Sequence, residues 1–181
     1  YAQDALEVAE EGGDAGLALL GEWALGSLEL SLGNVAEAAR WLTRADATHE
    51  RIGLVEPGYA RFHADLIEAL VAVGQLDEAE AHLREYERRA TLTARRSALG
   101  GAARCRALLL GARGAGEDAF EHIRRAHEAI DDLGTPFELA RTDLVEGIVL
   151  RRLRRRGDAR VAFESARAGF VAVGAATWQL R

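Results

Sequence analysis

The chain predicts an all-α fold, a superhelical array of antiparallel helix pairs with a period of about 40 residues. Three observations lead there. First, a Gly-x-x-x-x-Ala signature recurs four times, from Gly33, Gly74, Gly114 and Gly157 to Ala38, Ala79, Ala119 and Ala162. The glycines stand 41, 40 and 43 residues apart, and a fixed period of this size marks stacked supersecondary units. Second, 49% of the 181 residues are hydrophobic but only 6% are aromatic. Alanine and leucine dominate at helical spacing, which suits closely packed helices. Third, there are only two prolines and few β-branched runs, so sheet is not expected.

The elements follow in order. A partial unit over 1–12 ends a preceding pair. The first full repeat, 13–53, opens with a helix from Asp14 to Leu32, with Ala18, Leu25, Leu28 and Leu32 in helical step. Gly33 stops it, as the residue best able to turn left-handed after a helix. Asn34 is placed to cap the return helix, with Glu37 three residues on, and that helix runs to about Arg51. In the second repeat, 54–94, Pro57 opens the pair. Phe62, Leu66, Ile67 and Leu70 form its buried stripe, Gly74 turns, and Ala79, Leu83 and Tyr86 line the return.

The third repeat, 95–134, carries Gly100, Gly101, Gly111, Gly114 and Gly116. Each interior glycine costs about 1 kcal/mol relative to alanine, so this pair is expected to be the weakest or most irregular. The fourth, 135–174, has Thr135 as N-cap, Pro136 at the first helical position and Glu138 to complete a capping box. Gly157 is expected to close its first helix. Residues 175–181 start a further helix. The absence of methionine even at position 1, with half-units at both ends, is what a piece of a longer chain would show.

Composition narrows function. No apolar stretch reaches the ~18 residues of a membrane span. The acidic start has no signal-peptide pattern, and the lone Cys105 fits a reducing compartment, so a cytoplasmic protein is expected. All 23 basic residues are arginine and the net charge is −6, which argues against general nucleic-acid binding and leaves weak, non-specific duplex binding at most. The charge is uneven: residues 1–50 hold ten acids and two arginines, residues 151–181 two acids and eight arginines. No Ser/His/Asp grouping has a supporting motif, so an enzyme is not expected. The five histidines lack metal-ligand spacing, with His122 and His127 on different helix faces, and nothing points to a cofactor.

The Gly/Ala pattern resembles the tetratricopeptide repeat, a right-handed superhelix of antiparallel helix pairs. In that family a small residue stands seven positions before the turn glycine. Gly26 and Ala107 fill it, whereas Ile67 and Leu150 are larger, so the second and fourth units are expected to have wider helix spacing. The period exceeds the family's ~34 residues, implying helices about one turn longer. The segments LGTPFELAR at 133–141, LRRLRRRG at 150–157 and FVAVGAATW at 170–178 are similar to repeats preceding the DNA-binding helix-turn-helix of large ATP-dependent LuxR-type transcriptional regulators of the MalT-like, signal-transduction ATPase class.

That resemblance implies a sensor region that binds a protein or small-molecule effector and relays it to ATPase and DNA-binding domains. Neither of those domains has its motif in this chain. The rival reading is a free-standing tetratricopeptide scaffold in another assembly. In the family the first helix of each pair lines the concave face. Offsets from the turn glycines then put Trp23, Ser27, Arg61, Ala64, Glu68, Arg104, Leu108, Gly147 and Arg151 inward, where a peptide or an anionic small molecule would bind. The lysine/asparagine clamp of some co-chaperone repeats is absent there. A second candidate is the basic run Arg151, Arg152, Arg154, Arg155, Arg156 and Arg160. The competing explanation for it is that five of the six end a helix, where positive charge complements the dipole.

Overall fold

The computed structural model describes residues 2–53 and 61–180. Their α-helices are α1 (Ala2–Glu11), α2 (Ala15–Leu32), α3 (Val35–Ile52), α4 (Phe62–Val73), α5 (Leu76–Thr93), α6 (Arg96–Ala112), α7 (Gly116–Ile130), α8 (Pro136–Arg152) and α9 (Arg156–Ala172). A short 3-10 helix, Ala176–Leu180, follows. Among the described residues there is no strand. Pro57, expected to open the second pair, lies outside the described residues.

One backbone feature spaces these helices. Among the described residues, left-handed φ occurs at 13, 33, 53, 74, 94, 114, 134, 154 and 174. The interval is 20 residues throughout, with a single 21 between Gly53 and Gly74. Behind six of them the next amide reaches back five residues, as in Asn34 N to Glu29 O at 2.9 Å, Gln75 N to Leu70 O at 2.9 Å and Arg155 N to Leu150 O at 3.0 Å. This is the Schellman closure, which satisfies carbonyls the helix end leaves open. Seven of the nine are glycine; the others are Ala94 (φ 50°) and Arg154 (φ 62°), where a Cβ costs about 1–2 kcal/mol.

Arg154 corrects the expected register. Gly157 does not close a helix: it lies inside α9, and Arg154 takes the turn. Counted from Arg154, the alanine five residues on is Ala159, which is buried like Ala38, Ala79 and Ala119. The small residue seven positions before becomes Gly147 instead of Leu150. The fourth pair is therefore closely spaced, against expectation. A Cβ on Gly147 would sit 2.5 Å from the Phe163 ring, as one on Gly26 would sit 2.5 Å from Leu42 Cγ. The two contacts occupy the same places relative to their turns.

The helices group into two compact units, residues 1–82 and 83–181, with the boundary inside α5. In the first, α2 packs on α1, α3 and α4. Leu6, Ala9, Ala18 and Leu25 form a buried cluster flanked by Trp41. In the second, α8 packs on α6, α7 and α9. Leu150, Ala159 and Ala162 gather between Phe120 and Phe163, while Phe137, Phe170 and Trp178 form a three-ring contact with centroids 5.5–5.8 Å apart. The end expected to begin another α-helix is the 3-10 turn that delivers Trp178 to this contact.

The glycine-rich α6 is a continuous helix of 17 residues, not an irregular one. A Cβ on Gly100, Gly101 or Gly111 would come within 2.5 Å of Ile130, 2.7 Å of the Tyr86 hydroxyl and 2.9 Å of Val149. Its bare faces are close contacts, and that packing offsets poor intrinsic propensity. Two expected caps are also corrected. Asn34 makes no side-chain cap; it donates to Glu29 at 2.7 Å, and Glu37 pairs with Arg40 at 2.7 Å. Thr135 makes none either, its buried Oγ1 having no hydrogen-bond partner, and the Glu138 carboxylate that would complete the box is drawn instead to the Arg104 guanidinium at 2.5 Å, a stronger partner than a backbone amide. Asp14 does cap α2, accepting from Leu17 N at 2.9 Å.

The two glycine contacts differ in how far they can yield. Leu42 is fully buried, whereas Phe163 is half-buried. We expect Gly26→Ala to cost about 1–3 kcal/mol, and Gly147→Ala to fall closer to neutral because the ring can turn outward. Urea unfolding measures both. A Gly26→Ala variant as stable as the parent would contradict the close approach.

Candidate functional site

The residues expected to line one inward surface have different fates. In the first unit, Trp23 Nε1 and Ser27 Oγ both donate to Asp65 Oδ2, at 3.1 and 2.7 Å. Asp65 lies on α4 and is buried, so it draws two of the candidates together across α2 and α4. Arg61 stands exposed at the N-cap position of α4. Ala64 and Glu68 are buried in α4. In the second unit Leu108 is buried, and Arg104, only 2% exposed, is held by Glu138. Gly147 and Arg151 were placed by offset from Gly157. Counting from Arg154 moves those positions to Leu144 and Ile148. The groove set is thus mostly consumed by packing and internal pairing.

A different site opens in the first unit. A cavity of about 770 Å³ lies among α1, α2 and α3, with Glu22, Arg44, Thr48 and Arg51 supplying most of its polar edge. Glu22 is 2% exposed. Its Oε1 accepts from Arg44 Nε at 2.7 Å, and its buried Oε2 has no hydrogen-bond partner. Arg44 also reaches over the Trp41 ring, 5.5 Å from the centroid. Burial pushes the Glu22 carboxyl above its ordinary range, with Thr48 and the Arg51 charge opposing the shift.

The helix-dipole explanation of the basic run applies to only two of its six residues. Only Arg151 and Arg152 lie in the last turn of α8. Arg154 is the left-handed turn residue, Arg155 is the N-cap of α9 and Arg156 its first residue. At a helix N-terminus positive charge is disfavoured. Arg155 is steadied instead by Asp158 at 2.8 Å and by the Phe120 ring at 5.2 Å. Arg160 is 3.9 Å from Glu164, with both side chains exposed. Arg151, Arg156, Arg160 and Arg167, with the single acid Glu164, surround a cleft of about 410 Å³ floored by Ala159 and Phe163. Arg151 lies over the Phe163 ring at 5.6 Å. Arg167 joins this set one α9 turn beyond Phe163, outside the run the sequence singled out.

A third cluster was not legible from histidine spacing. His127 of α7 meets Asp143 and Glu146 of α8, and one ligand atom from each lies within 4.8 Å of the others. The signal was present as two carboxylates three apart on one helix face, but only packing supplies the imidazole.

Comparison with known proteins finds no matching family model, curated protein or solved structure. Among the described residues, no helix is long and apolar enough to cross a membrane.

Glu22 makes a testable pH contribution. Its folded pKa is raised, so the folded state binds the proton more tightly than the unfolded chain. The resulting stability is present at acid pH and is lost as pH rises through the folded value. We expect Glu22→Gln to gain less stability than the parent on going from about pH 7 to about pH 4.5. Equal gains in urea unfolding at the two pH values would contradict the burial of this carboxyl.

Proposed function

We propose that this chain is a non-enzymatic effector- or partner-binding region of a LuxR-type, ATP-dependent transcriptional regulator, with its helix pairs arranged as a tetratricopeptide-like superhelix. The observation that carries the binding role is the arginine-rimmed cleft on α8 and α9. Arginine guanidinium groups suit carboxylate or phosphate groups through paired hydrogen bonds, and four of them converge around Phe163. Among the described residues, Arg156 and Arg167 have no ion-pair partner, so their binding capacity is unspent. An anionic effector or an acidic partner segment with an apolar group fits this chemistry. The similarity of segments 133–141, 150–157 and 170–178 to regulator repeats supports the assignment to that class, and the cleft falls among these segments.

The test uses the intact regulator. Arg156→Glu with Arg167→Glu should raise the effector concentration needed for activation at least about tenfold, the size of one lost charged hydrogen bond. The melting temperature should stay within a degree or so, because both side chains are exposed. A response equal to wild type removes the cleft from the reading. The sequence of the full-length product tests the class: a nucleotide-binding loop on one side and a helix-turn-helix on the other are expected. Their joint absence favours the free-standing scaffold.

A further inference from the structure

We infer that His127, Asp143 and Glu146 form a binding site for one first-row divalent metal ion, joining α7 to α8. His127 Nε2 stands 3.3 Å from Asp143 Oδ1 and 4.0 Å from Glu146 Oε2. An ion held at bond lengths of about 2.0–2.2 Å separates neighbouring ligand atoms by about 3–4 Å. Both distances from the imidazole fall in this range, and one ligand atom from each of the three residues lies within 4.8 Å of the others. Asp143 and Glu146, three apart on α8, share one face, and His127 arrives from the last turn of α7.

Two further features belong to a metal site rather than to a simple ion pair. Ser165 of α9 donates to Asp143 Oδ2 at 2.7 Å. This fixes the carboxylate by its other oxygen and leaves Oδ1 turned toward His127, as outer partners of metal ligands do. Beside the cluster, a cavity of about 500 Å³ is lined by Asp143, Glu146 and Ser165, with room for the waters that would complete the coordination. Charge points the same way. Two carboxylates face one imidazole. One imidazole with two carboxylates suits zinc or manganese better than the all-oxygen preference of calcium or magnesium.

The experiment titrates the chain with zinc(II) and, separately, manganese(II), with magnesium(II) as comparison. Calorimetry should give one site for zinc. His127→Gln, Asp143→Asn and Glu146→Gln should each weaken binding at least about tenfold, and Ser165→Ala about tenfold through loss of the positioning bond. His122→Gln, which removes the other histidine of α7, should leave affinity unchanged. Saturating zinc should raise the melting temperature of the parent but not of the triple variant. Since substitution can itself disturb packing, nitrogen chemical shifts of the histidines are followed in the unmodified chain. Zinc should move the His127 Nε2 resonance first. No binding at millimolar metal, binding that survives in the triple variant, or a shift confined to other histidines overturns the site.

Discussion

A backbone able to turn left-handed at one residue in every twenty is the constraint on which the helical array depends. At six of the nine such residues the next amide reaches back five positions and closes the helix. Within each unit the following helix then lies on the one before, from α1 to α4 and from α6 to α9. Helix length, and with it the face each helix offers its neighbour, is set by this interval. Glycine satisfies the turn cheaply because it carries no Cβ. The fold keeps the interval even where alanine or arginine must take the conformation, at positions 94 and 154. Tertiary packing is therefore strong enough to impose the turn on residues that resist it.

A second requirement follows from helix pairs this close. Some residue near the crossing must have no side chain or a very small one, and Gly26 and Gly147 meet it at matching distances from their turns. The same demand explains α6, where three interior glycines would be a liability in an isolated helix but admit Ile130, Tyr86 and Val149. The candidate surface inherits this geometry. Because Arg154, not Gly157, is the turn residue, the arginine run is divided between the end of α8 and the start of α9. Arg151 from α8 and Arg156 and Arg160 from α9 flank Phe163 instead of collecting at one helix end.

The helical class and the approximate period were legible because Gly33, Gly74 and Gly114 sit at turns where their residue type is diagnostic. The fourth turn differs from the sequence expectation for a physical reason: sequence shows which residue turns easily, not which residue is made to turn. Gly157 advertised the property and Arg154 uses it. That error of three residues displaced Gly147 and Arg151 from their true places in the repeat. Capping signals failed where a charged partner from another helix outbid the local one, as Arg104 does for Glu138. The candidate surface was legible only as residue types. Nothing in the local sequence announces that Asp65 will gather Trp23 and Ser27, or that His127 will meet Asp143 and Glu146. These meetings depend on which helix faces touch.

The most direct test of the register exchanges the two competing turn residues singly. Arg154→Gly relieves a left-handed side chain and Gly157→Ala strengthens the first turn of α9, where an added Cβ meets nothing within 4 Å. Urea unfolding of each variant should show a gain of roughly 0.5–1 kcal/mol. A loss of stability in Gly157→Ala together with no gain in Arg154→Gly would return the turn to Gly157 and contradict the twenty-residue spacing.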